Sequence, residues 1–259
     1  MMQSGFNLLA SVALTLGLIL GAASEDADAG EREATSRTVR AVVELFTSQG
    51  CSSCPKADAI LANLARDPSL VALSYHVDYW DYIGWADPLA SRANTDRQRA
   101  YAKAFGTGSI YTPQAVVNGA RDVVGSRAGD ISTAVDETRL TKIPEAPWIS
   151  LSLRGDRLHV TADGKAEGRP LVLMLVTFDE ETRTEVHRGE NRGHTLVSAN
   201  PVRDWRILGM WDGKRLDVDL PLSALEAAGK GKGGCAAILQ SVTEGGAPGP
   251  ILAAVALDF

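Results

Sequence analysis

Two cysteines three positions apart, Cys51 and Cys54, constrain the fold of this chain more than any other feature. They follow a β-rich apolar run, 39–47, that predicts a central strand, and they open a segment, 52–66, whose apolar residues recur at helical spacing. The first cysteine therefore lies at a helix start, where free amides and the helix dipole stabilise a thiolate. The second, one turn later, can attack a mixed disulfide formed at the first. This placement predicts a redox-active pair.

Length and charge set the broad class of protein. The 259 residues suit one large domain or two ordinary ones. The net charge is −6 and the chain contains no run of Lys and Arg, so nucleic acids and anionic membrane surfaces are poor partners. Three cysteines are too few for a disulfide framework, and Cys235 is predicted to be a buried small apolar residue.

The first 29 residues have the composition of a targeting segment. An apolar run without charge, 8–23, is shorter than the roughly 20 residues of a membrane span and gives way to a small, acidic stretch. We predict a signal peptide over 1–29, cleaved after Ala23 or Ala29, and a periplasmic or secreted protein. An uncleaved N-terminal anchor is the alternative, and no other membrane contact is expected.

Strands and helices alternate over 37–142 in the order β-α-β-α-β-β-α. Asp87 and Pro88 are predicted to open the second helix. Two prolines in 143–147 predict a linker. Beyond it, over 148–259, short strands with glycine-rich connections predict a β-sandwich. The predicted strands are 148–153, 158–162, 171–178, 182–188, 216–220, 235–242 and 251–257.

A second motif lies far along the chain from the cysteines. Thr112-Pro113, followed by a short strand, 114–117, and the turn Asn118-Gly119, resembles the cis-proline strand and hairpin of thioredoxins. The expected fold is therefore a thioredoxin-like α/β domain followed by an all-β, sandwich-like domain. The resemblance implies that Thr112 and Pro113 form the substrate side of the site. A trans proline at a strand's first residue is the alternative.

The chain is also similar, over nearly all of its predicted mature length, to a family of secreted bacterial proteins of unknown function. The motifs that carry this resemblance are 44–55, 111–114 and 189–191. One departure from ordinary thioredoxins is Gly50, where a tryptophan usually precedes the first cysteine. Another is the Ser52-Ser53 dipeptide between the cysteines, which leaves the redox direction open.

Aromatic side chains follow a predicted strand and lie at the sheet edge where ligands bind in α/β proteins. We hypothesise that Trp80, Tyr82 and Trp85 form an aromatic groove beside Cys51; a packed core cap is the alternative. The resemblance to thioredoxins implies a further residue, Glu44, as a proton relay to the second cysteine. The alternative for Glu44 is a paired structural acid.

Two further features carry predictions. The polar, glycine-containing segment 188–195 is either a hairpin loop or a loop that reaches the cleft and recognises a polar partner. His76 is predicted to be a hydrogen-bonded strand histidine rather than a ligand.

The leading functional hypothesis is an exported thiol–disulfide oxidoreductase without cofactor or metal. Cys51 would attack the partner, and Cys54 would resolve the mixed disulfide that forms. The partner would be a protein or a small-molecule thiol or disulfide. One alternative is a non-catalytic binding protein whose disulfide is structural. Another is a copper or zinc carrier that uses Cys51, Cys54 and His76.

Overall fold

The structure is a computed structural model that describes residues 1–2, 32–166, 168, 170–226 and 233–259. Glu31–Phe259 forms one compact unit. The predicted signal peptide lies outside the described residues, apart from its first two positions. Across the described ranges, no helix combines the length and apolar character needed to cross a membrane.

Strands dominate the described part of the chain. In chain order, the elements are β1 (Arg32–Thr35), β2 (Ala41–Thr47), α1 (Pro55–Leu64), β3 (Leu70–His76), α2 (Arg92–Phe105), β4 (Gln114–Val117), β5 (Arg121–Val124), α3 (Ala128–Glu137), β6 (Trp148–Arg154), β7 (Arg157–Asp163), β8 (Leu171–Asp179), β9 (Glu181–Glu185), β10 (Thr195–Ala199), β11 (Val202–Trp211), β12 (Leu216–Pro221), α4 (Ser223–Glu226), β13 (Gly233–Val242) and β14 (Pro248–Asp258).

These strands form four sheets, with the orders β1-β6-β7-β12, β10-β9, β11-β8-β13-β14 and β3-β2-β4-β5. In the last of these, the mixed sheet, β2 runs parallel to β3 and antiparallel to β4. All seven residues of β2 are buried, which explains why this strand is apolar on both faces.

The two faces of the mixed sheet meet different layers because side chains alternate along β2. Leu45 packs with Ala57 and Leu61 of α1. Phe46, one residue on, packs with Met174 of β8 and belongs to a core that β13 and β14 also enter. Strands from the C-terminal half of the chain thus cover this face of the mixed sheet.

In the sheet β11-β8-β13-β14, the edge strand β11 has exposed residues, whereas β8, β13 and most of β14 are buried on both faces. Leu173 and Leu239 point to a second core, shared with Leu151 and Leu158 of the sheet β1-β6-β7-β12. Burial on both faces produces the continuous apolar runs of these strands. Cys235 lies in this second core and is buried, as predicted.

The predicted fold class is wrong. The chain is not a thioredoxin-like α/β domain followed by a self-contained β-sandwich, because it forms a β-rich architecture of four sheets in which helices are a minority. Two self-contained domains would each bury their apolar surface internally. Instead, the central β11-β8-β13-β14 sheet contributes to a core on each side. The segment bounds 37–142 and 148–259 stay predictions.

Candidate functional site around Cys51 and Cys54

Cys51 and Cys54 lie between the end of β2 and the first turn of α1, and they are joined by a disulfide with a Cα–Cα distance of 5.4 Å. Cys54 is the N-cap of α1 and Pro55 is its first residue. The helix therefore begins three positions later than predicted, because a proline is best tolerated where no N–H is needed. The Cys51 sulfur lies 3.3 Å from the Ser53 hydroxyl.

Both sulfur-bearing residues are buried. Cys51 is 1% exposed and Cys54 is 0% exposed, so a thiol or disulfide partner cannot reach either sulfur in this conformation. Three segments that are distant in the sequence pack around the start of α1 and residues 48–54, which we call the cysteine loop. They are the Thr112-Pro113 strand, the aromatic segment 80–85 and the polar segment 188–192.

Thr112 and Pro113 lie close to the cysteine helix, and the peptide bond between them is cis. A Cβ built on Gly125 would be 3.2 Å from the Pro113 Cβ and 3.4 Å from the Ala57 Cβ. The proline and the first turn of α1 therefore flank the same glycine. The structure thus brings the two motifs together at one place, whereas the role predicted for them stays a prediction.

The aromatic segment packs against the residue before Cys51. A Cβ built on Gly50 would be 3.1 Å from the Trp80 Cβ, so a side chain at position 50 would crowd Trp80. The Trp80 indole donates to the Thr112 hydroxyl at 2.7 Å. The Trp85 indole donates to the Gln49 side chain at 3.0 Å, and Tyr82 is 83% exposed.

These contacts place Trp80 between the cysteine loop and the Thr112-Pro113 strand. Both indole N–H groups already have protein acceptors, as the packed-cap alternative requires. Trp80 and Trp85 therefore help to build the walls of the site, and their proposed contact with a substrate stays a prediction.

Glu44 lies on the wrong face of β2 to reach the cysteines. It is fully buried, its carboxylate pairs with the Arg97 guanidinium at 2.7 Å, and it accepts a hydrogen bond from the Tyr101 hydroxyl. Its neighbour Leu45 faces α1, and side chains alternate along a strand. The geometry therefore matches the alternative of a paired structural acid.

Sequence reasoning missed another buried acid, Asp58. It follows Cys54 by one helical turn, and residues four apart lie on one helix face. Its carboxylate accepts a hydrogen bond from the Thr47 hydroxyl at 2.8 Å. Burial raises the pKa of Asp58 to about 6, although His76 and Thr47 act to lower it. The available signal was an acid on the apolar face shared with Leu61.

His76 and Asp87 form a buried pair behind the cysteine loop. The His76 Nδ1 lies 2.7 Å from the Asp87 carboxylate, which also accepts the Gln49 backbone N–H at 2.8 Å. Burial acts to raise the pKa of Asp87, but the His76 imidazole and the hydrogen bonds hold it below its usual value. Asp87 therefore does not cap α2, whose N-cap is Ser91.

Metal ligation was one predicted alternative. Within the ranges described, no three His, Cys, Asp or Glu side chains converge so that they could hold a metal ion. The set Cys51, Cys54 and His76 is therefore not such a group, and His76 is instead hydrogen-bonded to Asp87.

The third of these segments comes from the C-terminal half of the chain. We call Arg188–Arg192, between β9 and β10, the site loop. Its Asn191 side chain donates to the carbonyl oxygens of Gln49 at 2.9 Å and Cys51 at 3.0 Å. Its Glu190 carboxylate accepts the Ser52 backbone N–H at 3.2 Å. The alternative of a loop that reaches the site thus agrees with the observed contacts.

Comparison with known proteins gives the chain relatives without an assigned activity. Residues 42–240 match the model of a family described as "Protein of unknown function (DUF1223)". A crystal structure of an Agrobacterium tumefaciens protein is 36% identical, with a TM-score of 0.73, and the alignment covers 85% of this chain and 94% of that one. No curated protein matches the chain.

Proposed function

The chain belongs to this family of unknown function, and we propose from its geometry that it is a thiol–disulfide oxidoreductase acting through Cys51 and Cys54. The observation that carries the proposal is a bridged cysteine pair at the start of α1. A buried acid, Asp58, lies one turn further along the same helix. Thiolate chemistry is favoured at such a helix start.

In the proposed reaction, the reduced protein attacks a partner disulfide. The Cys51 thiolate forms a mixed disulfide with one partner sulfur, and the other partner sulfur leaves as a thiolate and takes up a proton. Cys54 then loses its proton and attacks the Cys51 sulfur, which releases the second partner thiol. The partner disulfide gains two electrons, and the two protein thiols lose two in forming the Cys51–Cys54 bond. A thiol reductant of the cell envelope reverses this oxidation.

Asp58 is the group we propose for accepting the Cys54 proton. Its raised pKa of about 6 makes it a stronger base than an exposed aspartate, and it remains largely ionised at neutral pH. Thr112, Pro113, Trp80 and Trp85 are proposed to position the partner, which is a protein or a small-molecule thiol or disulfide. Export to the periplasm or beyond remains part of the proposal because the apolar run 8–23 supports it.

Insulin reduction with a thiol reductant tests the proposed activity. The wild-type protein should accelerate insulin precipitation, and Cys51→Ser should abolish the acceleration because the attacking sulfur is lost. Cys54→Ser should retain Cys51 but accumulate a mixed disulfide visible by mass spectrometry. Cys235→Ala is the matched control, since that thiol lies in the second core, which includes neither Cys51 nor Cys54, and it should keep full activity.

One observation favours a second candidate function. Because both cysteines are buried, the disulfide fits a structural crosslink in a non-catalytic binding protein. That candidate predicts a very low reduction potential and no effect of Cys51→Ser beyond lost stability, which is about 2–4 kcal/mol for a typical disulfide. Insulin reduction at the uncatalysed rate, together with such a potential, would select it.

A further inference from the structure

The site loop, Arg188–Arg192, packs closely against the cysteine loop. Asn191 is 6% exposed, and its amide group spans the carbonyl oxygens of Gln49 and Cys51. Gly189 has a positive φ of 77°, and a Cβ there would lie 3.3 Å from the Trp85 Cβ. A side chain at position 189 would therefore strain the backbone and crowd Trp85.

Glu190 adds a charge to the site loop. Its hydrogen bonds to Ser52 hold the pKa of its carboxyl below the usual value, so Glu190 is ionised at neutral pH. The Ser52 N–H that it accepts lies between the two cysteines. The Glu190 carboxylate therefore places a negative charge against the residue next to Cys51. A like charge disfavours the ionised form of a neighbouring group, so Glu190 opposes formation of a Cys51 thiolate.

We propose that the site loop is a releasable cover, and that Asn191 and Glu190 are positioning residues that control when Cys51 exchanges. In the closed state both sulfurs are buried. Release withdraws the Asn191 amide from the Gln49 and Cys51 carbonyl oxygens and uncovers the Ser52 N–H. The inference rests on the proposed function because the exchange that the cover controls is the one proposed for the oxidoreductase.

The reaction that tests this inference is stoichiometric reduction by dithiothreitol. One dithiothreitol thiolate attacks the Cys51 sulfur, the Cys51–Cys54 bond breaks, and Cys54 leaves as a thiolate that takes up a proton. The second dithiothreitol thiol then loses its proton and attacks the mixed disulfide. It closes the oxidised ring and releases Cys51 as a thiolate that is protonated. Alkylation and mass spectrometry count the two new thiols.

Wild-type protein gives the first test. Its reduction rate should stay nearly constant as urea rises below the unfolding transition, because release of a short loop exposes little surface. If the rate instead rises with the slope of global unfolding, only the unfolded chain reacts and the cover is not releasable. This measurement needs no variant and is independent of whether a mutant folds.

Variants give the second test. Asn191→Ala loses two hydrogen bonds, and we expect reduction to accelerate about tenfold or more. Glu190→Gln should accelerate it about two- to threefold, because an exposed carboxylate acts weakly through solvent. The matched controls are Asn63→Ala, on the exposed surface of α1, and Glu185→Gln, at the end of β9. Neither control should change the rate, and equal rates for all four variants would overturn the proposal.

The reduction potential separates a gating role from a structural one. Removing the Glu190 charge favours the Cys51 thiolate, so Glu190→Gln should raise the reduction potential of the pair. A change that only loosens packing should leave the reduction potential unchanged.

The cover proposal and the oxidoreductase proposal can be refuted independently. Faster reduction of Asn191→Ala without insulin reductase activity in the wild type would refute the oxidoreductase and retain the cover.

Discussion

Asp58 shows how one buried carboxyl group can couple stability to chemistry. It is buried in α1 together with Ala57 and Leu61, and its carboxylate accepts a hydrogen bond from the Thr47 hydroxyl. Burial raises its pKa from 3.8 to about 6, so the folded protein holds this proton more tightly than the unfolded chain does. Stability from this group is therefore fully present below about pH 4 and is lost as pH rises through about 6.

Asp58→Asn should remove this pH dependence. The raised pKa corresponds to about 3 kcal/mol of unfolding free energy lost between pH 4 and pH 7, and the amide variant should lack most of that loss. The same variant should exchange thiols more slowly at pH 7, because Cys54 no longer has a nearby base. Urea unfolding at both pH values and insulin reduction at pH 7 measure the two effects. Identical pH dependence in the variant and the wild type would contradict the assignment.

At the scale of elements, the start of α2 shows which local signals sequence reasoning can misread. Asp87 and Pro88 have the composition of a cap, yet the helix begins at Arg92 after Ser91, whose hydroxyl accepts the Asn94 N–H at 3.1 Å. Asp87 is instead bound by His76. Composition alone suggested Asp87 as the cap, but its carboxylate forms tertiary hydrogen bonds with His76 and with the Gln49 N–H.

Ser91→Ala should destabilise the protein by about 1 kcal/mol, because the Asn94 N–H loses its acceptor at the helix end. Ser109→Ala, at an exposed position just after the same helix, is the control and should stay within about 0.5 kcal/mol of the wild type. Urea midpoints with unchanged slopes measure the difference. Equal midpoints for the two variants would show that Ser91 does not cap the helix.

At the scale of the whole molecule, a buried polar cluster joins the two halves of the chain. Arg97 of α2 contacts Glu44 of the mixed sheet and also donates to the Gln240 side chain of β13 at 3.1 Å. Tyr101 donates to Glu44 and accepts from Gln240 at 2.8 Å. Such a network fixes how the sheets meet, because each of these four side chains would be costly to bury unpaired.

Glu44→Met should destabilise the protein by about 3–5 kcal/mol, because it leaves the buried Arg97 charge without its partner. The double variant Glu44→Met with Arg97→Met should recover part of that loss. Chemical unfolding of the two single variants and the double variant measures the coupling. Glu44→Gln should leave the pH profile of thiol exchange unchanged, and a shifted profile would restore Glu44 as the proton relay.

The local sequence determined most of the short-range features of this protein. Apolar patterns predicted β2, α1 and β3, and the spacing of Cys51 and Cys54 predicted their place at a helix start, because strand and helix periods are properties of neighbouring residues. The site loop was also marked by its polar, glycine-containing composition. In contrast, β11 was missed because its exposed residues interrupt an apolar pattern.

Only the tertiary structure decided which layers cover the mixed sheet, which face of β2 carries Glu44, and that the site loop binds the backbone around Cys51. These outcomes depend on contacts between residues far apart in the chain, such as Asn191 with Cys51 and Gln240 with Arg97. A one-residue change in the pairing of a strand reverses the direction of every side chain on it. Periodicity identifies a strand, but the partner that fills its face is selected by packing.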